Sequence, residues 1–120
     1  MAEPLVLVVE DEPLLRLNAV AMLEDAGYAT LQAGSADTAI EQLEANDAIR
    51  AVFTDINMPG GMDGLALAAV IRDRWPPVEL IVTSGLVSVE EGQLPERGRF
   101  LPKPYSYRQL THAMETLHLG

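Results

Sequence analysis

Apolar residues along this chain keep two alternating rhythms, short continuous runs and longer stretches at helical spacing, and the alternation predicts the fold. Leu5-Val-Leu-Val-Val9, Tyr28–Ala33, Ala51–Phe53, Val78–Thr83 and the segment around Phe100-Leu101 read as strands. Leu5–Val9 and Ala51–Phe53 are apolar throughout, the pattern of strands covered on both faces. Between the strands, Leu15, Ala19, Met22, Leu23 and Ala26 share one helical face, with Arg16, Glu24 and Asp25 outside. Asp11 is placed to cap that helix, Pro13 suits its first turn, and Gly27 stops it. Ser35 caps a second helix to about Ala45 with Ile40 and Leu43 inward. A third helix, Leu65–Trp75, packs through Leu65, Ala68 or Ala69, and Ile71, and Pro76-Pro77 ends it. The last, roughly Tyr107 to His118, repeats Leu110, Ala113, Met114 and Leu117. The stretch Leu86–Gly98 breaks the rhythm: Gly92, Pro95, Gly98 and the β-branched Val87 and Val89 are poor helix formers. A fourth helix is therefore expected to be short or irregular, one or two turns from a Ser88 cap. The whole predicts an α/β domain, a doubly wound five-stranded parallel sheet with helices on both faces and right-handed crossovers. Residues 1–120 are expected to form one domain, with neither repeat nor linker.

Candidate chemistry sits where strands run out. Asp55 follows the third strand directly, and ligands of open α/β sheets bind outside the carboxyl ends of the strands. Aspartate also opens turns and caps helices, so Asp55 alone is ambiguous. The first strand runs into Glu10, Asp11 and Glu12. If the first and third strands are neighbours, Glu10, Asp11 and Asp55 converge on one rim, where like charges about 4 Å apart repel by about 4 kcal/mol per pair at an effective dielectric of 20. Such a cluster calls for a cation, and hard carboxylate oxygens with room for water suit Mg²⁺. The fourth strand ends in Thr83-Ser84, and the fifth in Lys103, held between Pro102 and Pro104. Metal, hydroxyl and ammonium around an aspartate make a site for a phosphoryl group carried on Asp55.

These residues together resemble the receiver domains of two-component response regulators, over nearly the whole chain from Leu5 to about His118. The matched pattern is the acidic pair Glu10-Asp11, Asp55 followed by Met58-Pro59 and Asp63-Gly64, Thr83 or Ser84, and Lys103-Pro104. The resemblance implies a flavodoxin-like fold and phosphorylation of Asp55 by a histidine kinase or a histidine phosphotransfer protein. It implies Mg²⁺ held by Asp11, Asp55 and the backbone carbonyl of Asn57, with Glu10 on metal-bound water. Thr83 and Lys103 would contact the phosphoryl oxygens, and the Lys103–Pro104 bond would be cis. Thr83, Ser84 and Phe100 are the expected switch, Phe100 filling space vacated when the Thr83 hydroxyl moves toward the phosphate. The Met58–Gly64 loop carries one residue more than the commonest family spacing, and Gly60-Gly61 can absorb it as an outward bulge.

Composition narrows the partners. Eighteen acidic against eight basic residues give a net charge of −10, the wrong sign for neutralising nucleic-acid phosphates. Output is therefore expected through a downstream protein target. Cysteine is absent, which removes disulfides and thiolate metal sites. No apolar run reaches the ~20 residues needed to span a bilayer, and Met1-Ala-Glu-Pro4 lacks the basic start of a signal peptide, so a cytoplasmic protein without membrane contact is expected. His112 and His118 read as helix-end cations, Met58 and Met62 as packing, Trp75 as cover for a helix end, and Asp37, Glu41 and Glu44 as a solvated face. A Mg²⁺-dependent aspartyl-phosphate phosphohydrolase is an alternative, but it needs a second carboxylate two residues after the nucleophile, where Asn57 stands. A phosphorylation-independent binding module is another, set against the complete site pattern. The leading expectation is a phosphoacceptor that acts only on its own phosphoryl group and is no enzyme toward small molecules.

Overall fold

The computed structural model describes residues 3–58, 62–85 and 94–117. Its strands are β1 (Leu5–Val9), β2 (Ala29–Ala33), β3 (Ile49–Asp55), β4 (Glu79–Ser84) and β5 (Gly98–Pro102). They form one parallel sheet in the order β2-β1-β3-β4-β5. Four helices lie among the described residues: α1 (Pro13–Asp25), α2 (Ala36–Ala45), α3 (Gly64–Arg74) and α4 (Tyr107–Glu115).

Alternate strand residues feed two separate cores. Leu7, Val9, Val52, Leu80 and Val82 meet Ala39 and Leu43 of α2 and Leu67, Ala68 and Ile71 of α3. Val6, Val8, Ala51, Phe53 and Ile81 meet Ala19, Val20 and Leu23 of α1 and Leu110 and Met114 of α4. Both faces are covered, which is why β1 throughout and the middles of β3 (Ala51–Phe53) and β4 (Leu80–Val82) are apolar without alternation. The chain steps from β1 outward to β2 and then returns past β1 to β3. The winding therefore reverses between β1 and β3, and a crevice opens beyond their carboxyl ends.

Helix boundaries follow local chemistry. Ser35 accepts from the Thr38 amide at 3.2 Å to cap α2, as its sequence predicts. Asp63 caps α3 through the Ala66 amide at 2.8 Å, and Ser106 and Gln109 form a reciprocal capping box on α4. Gly27, at φ 99°, ends α1 in the left-handed conformation. Asp11 does not cap α1. That position belongs to Glu12, without a side-chain bond, and Pro13 opens the helix.

Other expectations shift by a residue or a face. Ala19, Val20 and Leu23 bury α1, while Leu15 is 47% exposed, with Leu14 at 76% and Leu17 at 53%. The inward face of α1 therefore starts a turn later than its spacing predicts. On α3 Leu67 takes the fully buried place, and Leu65 only flanks the core. Glu44 reaches Arg74 at 2.6 Å, an exposed pair worth little. The short or irregular fourth helix and its Ser88 cap fall in residues 86–93, which lie outside the described residues, as do Gly60-Gly61 and His118. The described part of that stretch, Leu94–Arg97, is non-helical and turns into β5, with the Gly98 amide on the Pro95 carbonyl at 2.9 Å.

Candidate functional site

Four strand ends and the residues just beyond them converge on one rim. Asp55 closes β3 in register with Thr83 of β4, and the Ile56 amide ties to the Thr83 carbonyl at 2.9 Å. Glu10 is set by its amide on the Ala33 carbonyl at 3.0 Å. Its own carbonyl accepts from Arg16 Nη1 at 2.9 Å, while Arg16 Nε donates to Gln32 at 3.0 Å. Lys103 leaves β5 with its amide on the Ser84 carbonyl at 3.0 Å and with a cis bond to Pro104.

The side chains then meet. Lys103 Nζ lies 2.9 Å from Glu10 Oε1 and 3.3 Å from Asp55 Oδ2. Glu10, Asp11 and Asp55 each bring a carboxylate oxygen within 4.8 Å of the others, Asp11 being the most open of the three. Burial pushes the Glu10 carboxyl above its ordinary value, and the nearby Asp55 charge adds to the rise against the lowering hydrogen bonds from Lys103 and the Glu12 amide. Burial acts against the charge on Lys103, yet the bond to Glu10 and the charge of Asp55 outweigh it and hold the ammonium above its usual value. Two polar atoms remain open inside this constellation. Asp55 Oδ1 and Thr83 Oγ1 are both buried and have no partner among the described residues. Convergent hard oxygens around an unpartnered carboxylate oxygen fit a small divalent cation.

The remaining expected residues fall around this centre. Asn57, exposed, donates from its side-chain amide to Ser84 Oγ at 2.9 Å, linking the loop after β3 to the end of β4. Phe100 pairs with Val82 across β4–β5 and is partly buried against the core. Met58 is buried and Met62 half-buried, both as packing. The spacing of residues gave no hint of Arg16 as the brace of Glu10, because its helical position reads as solvent-facing. Tyr105 was also missed, although an aromatic directly after Lys103-Pro104 is a visible signal. Its ring meets Phe53 edge-on at 5.7 Å, and burial, with the charges of Glu10 and Asp55 behind it, pushes its hydroxyl up to about 12. Beside Lys103 a shallow cavity of about 390 Å³ is lined by Leu15, Asn18, Gly85, Lys103, Pro104 and Tyr105.

One glycine makes the site possible. A Cβ on Gly64 would stand 2.1 Å from the Asp55 carbonyl oxygen and 2.8 Å from the Ile56 Cα. Gly64 also donates its amide to the Ile56 carbonyl at 3.0 Å, so α3 starts pressed against the backbone of the acidic strand end. Gly64→Ala is expected to cost about 3 kcal/mol in urea unfolding and to displace Asp55. Stability within about 0.5 kcal/mol of wild type would show that this close approach is not needed.

Comparison with known proteins agrees with this geometry. A family model for the response regulator receiver domain matches residues 6–115. The sensor kinase CckA of Brucella abortus is 34% identical over 93% of this chain, and the nitrogen assimilation regulatory protein NtrX of Azorhizobium caulinodans 33% over 95%. The chain spans 12% and 27% of the lengths of those two proteins. The crystal structure of a response regulator receiver protein from Sinorhizobium medicae superposes with a TM-score of 0.88 at 31% identity, covering 96% of this chain and 94% of that one. A five-stranded parallel sheet with an acidic cluster at its winding reversal, matched along residues 6–115, places this chain in the family of response regulator receiver domains of two-component systems.

Proposed function

We propose that the domain accepts a phosphoryl group on Asp55 from a phosphohistidine of a histidine kinase or a histidine phosphotransfer protein. The observation that carries this reading is the pair of open buried atoms, Asp55 Oδ1 beside Thr83 Oγ1, with Lys103 already on Asp55 Oδ2. Asp55 Oδ1 has a lone pair free to attack phosphorus as the donor's P–N bond breaks and its electrons return to the imidazole. Lys103 follows the charge onto the phosphoryl oxygens, and Thr83 donates its hydroxyl to one of them. Glu10, Asp11, Asp55 and the Asn57 carbonyl are the groups to hold Mg²⁺, which when bound neutralises the charge that three carboxylates and an incoming phosphoryl group would otherwise bring together. Asn57 has no proton to relay, which sets the site apart from a phosphohydrolase with a general acid at that position.

Acetyl phosphate with Mg²⁺ should label wild type on Asp55 by mass spectrometry and leave Asp55→Asn unlabelled. Lys103→Ala should slow labelling about tenfold or more, the worth of one charge-assisted contact. Labelling of Asp55→Asn, full labelling in EDTA, or a wild-type rate for Lys103→Ala would each overturn the corresponding assignment.

Phosphorylation is then read through Thr83 and Phe100. The Thr83 hydroxyl moves to the phosphate, and Phe100, on the next strand, turns into the space behind it. Shifting such an equilibrium from 1:99 to 99:1 takes about 5.5 kcal/mol, the scale of a few charge-assisted hydrogen bonds. Crystals grown with and without beryllofluoride should show both side chains displaced, and identical positions for the two would sink the switch.

The exposed leucines of α1 border the same site through Leu15 and the cavity beside Lys103. Apolar surface gathered next to a phosphoacceptor serves a protein donor rather than a small one. Leu14→Glu with Leu17→Glu is expected to cut transfer from a phosphorylated histidine phosphotransfer protein about tenfold and to leave labelling by acetyl phosphate unchanged. Equal losses with both donors would place the leucines in the fold instead.

A further inference from the structure

We propose that Arg72 and Arg97 are positioning residues for Lys103, acting from the far end of the sheet by fixing how β5 is seated on β4. For phosphorylation, this inference rests on the reading of Asp55 as the acceptor. β5 is an edge strand with β4 as its single neighbour, and of its five residues only Leu101 is buried. Apolar packing therefore holds it through Leu101 and the half-buried Phe100, and leaves its entry at Gly98-Arg99 without an apolar anchor. Its other end enters from the turn Pro95–Gly98, where Arg97 has φ 64°, a left-handed conformation that costs a non-glycine residue free energy. Such strain persists only where the surroundings impose it.

The surroundings here are two guanidinium groups. Arg97 Nη1 meets Glu79 Oε1 at 3.0 Å, and Arg97 Nη2 donates to the Pro76 carbonyl. Arg72, in the last turn of α3, donates from Nε to the Glu96 carbonyl at 2.7 Å and from Nη1 to the carbonyls of Pro76 at 2.6 Å and Val78 at 2.8 Å. Glu79 is only 6% exposed and opens β4, so a buried carboxylate at the first residue of one strand is paired by the turn that opens the next. The connection from α3 to β4 and the entry to β5 are thereby stapled at one point.

The staple has a consequence at the opposite rim. β4 runs from Glu79 to Thr83-Ser84, and β5 runs beside it to Pro102, with Ser84 opposite Pro102. Strands anchored together at their amino ends deliver Thr83 and Lys103 at a fixed relative height, and Lys103 must reach both Glu10 and Asp55 from there. The carboxylates that would hold a cation sit just beyond β1 and at the end of β3, and none of them contacts the staple itself.

The test is the double variant Arg97→Gly/Glu79→Gln. Glycine accepts the left-handed turn, and glutamine removes the charge that would otherwise be left buried and unpaired. Arg72→Gln is the second variant, should the double one fail to fold. Native-state amide exchange at Arg99–Lys103 is expected to quicken about tenfold or more while β1 and β3 stay within about twofold of wild type. Labelling by acetyl phosphate at saturating Mg²⁺ is expected to fall about fivefold, with Mg²⁺ affinity, measured by titration with Mg²⁺ alone, not weakened. β5 exchange within about twofold of wild type, an equal quickening in β1 and β3, or unchanged labelling with β5 loosened would overturn the proposal. A wild type that takes no phosphoryl group at all would defeat the reading of Asp55, while the exchange and Mg²⁺ results would still decide whether the staple seats β5.

Discussion

The contact on which this architecture depends is the Lys103 ammonium held between Glu10 and Asp55. Two acidic strand ends that face each other at a winding reversal repel, and the repulsion grows as the core closes and water leaves. A cation carried by a third strand removes that conflict only if β5 docks on the correct side of β4. Net stabilisation from such a partly buried ion pair is small once desolvation is counted. Its larger effect is on specificity, because arrangements that bring β1 and β3 together without β5 leave the carboxylates uncompensated.

On the proposed reading of Asp55, the same contact leaves the site prepared for reaction. Lys103 occupies Asp55 Oδ2 and Glu10 Oε1, and Asp55 Oδ1 and Thr83 Oγ1 stay without partners among the described residues. Buried polar atoms are rarely left this way, and where they are, a ligand or water is the usual complement. Gly64 contributes from the backbone side, since no side chain fits between the start of α3 and the Asp55 carbonyl. Asn57 and Ser84 tie the loop after β3 to the end of β4. Open atoms thus sit inside a frame that is otherwise satisfied.

Much of this was legible in the sequence, because strand runs, helix periods and turn residues are local signals. The five strands, the Ser35 cap, the Gly27 stop and the convergence of Glu10, Asp11, Asp55 and Lys103 follow from composition and order along the chain. Leu15 shows where local reading fails. Its spacing matches Ala19 and Leu23, but the carboxyl-terminal half of α1 supplies the contact with β1 and β3, and the first turn rises clear of the sheet. Asp11 likewise looks like a cap, yet its carboxylate joins the acidic cluster and Glu12 takes the cap position. Charged residues that reach across the fold, such as Arg16 to Glu10 and Arg97 to Glu79, have no local period at all. For Glu79 one sign existed, a carboxylate inside an apolar strand run, which requires a buried partner without saying where along the chain it lies.

Charge placement distinguishes the two ends of the sheet. At the carboxyl rim, carboxylates outnumber the one ammonium among them, and polar atoms are left open. At the amino rim, Arg72 and Arg97 gather a cluster of carbonyls and the Glu79 carboxylate around the entry to β4 and β5, and Arg72 Nη2 alone of that set is buried without a partner among the described residues. On the proposed reading, a group that moves in response to a phosphoryl charge needs a fixed reference, and an edge strand with one buried residue and a half-buried Phe100 provides little of one by packing alone. On the proposed reading, strain at Arg97 and the hydrogen bonds that hold it are the counterpart of the open atoms at Asp55: rigidity at one end of β4 and β5 would let a small displacement at the other end be resolved into a distinct state.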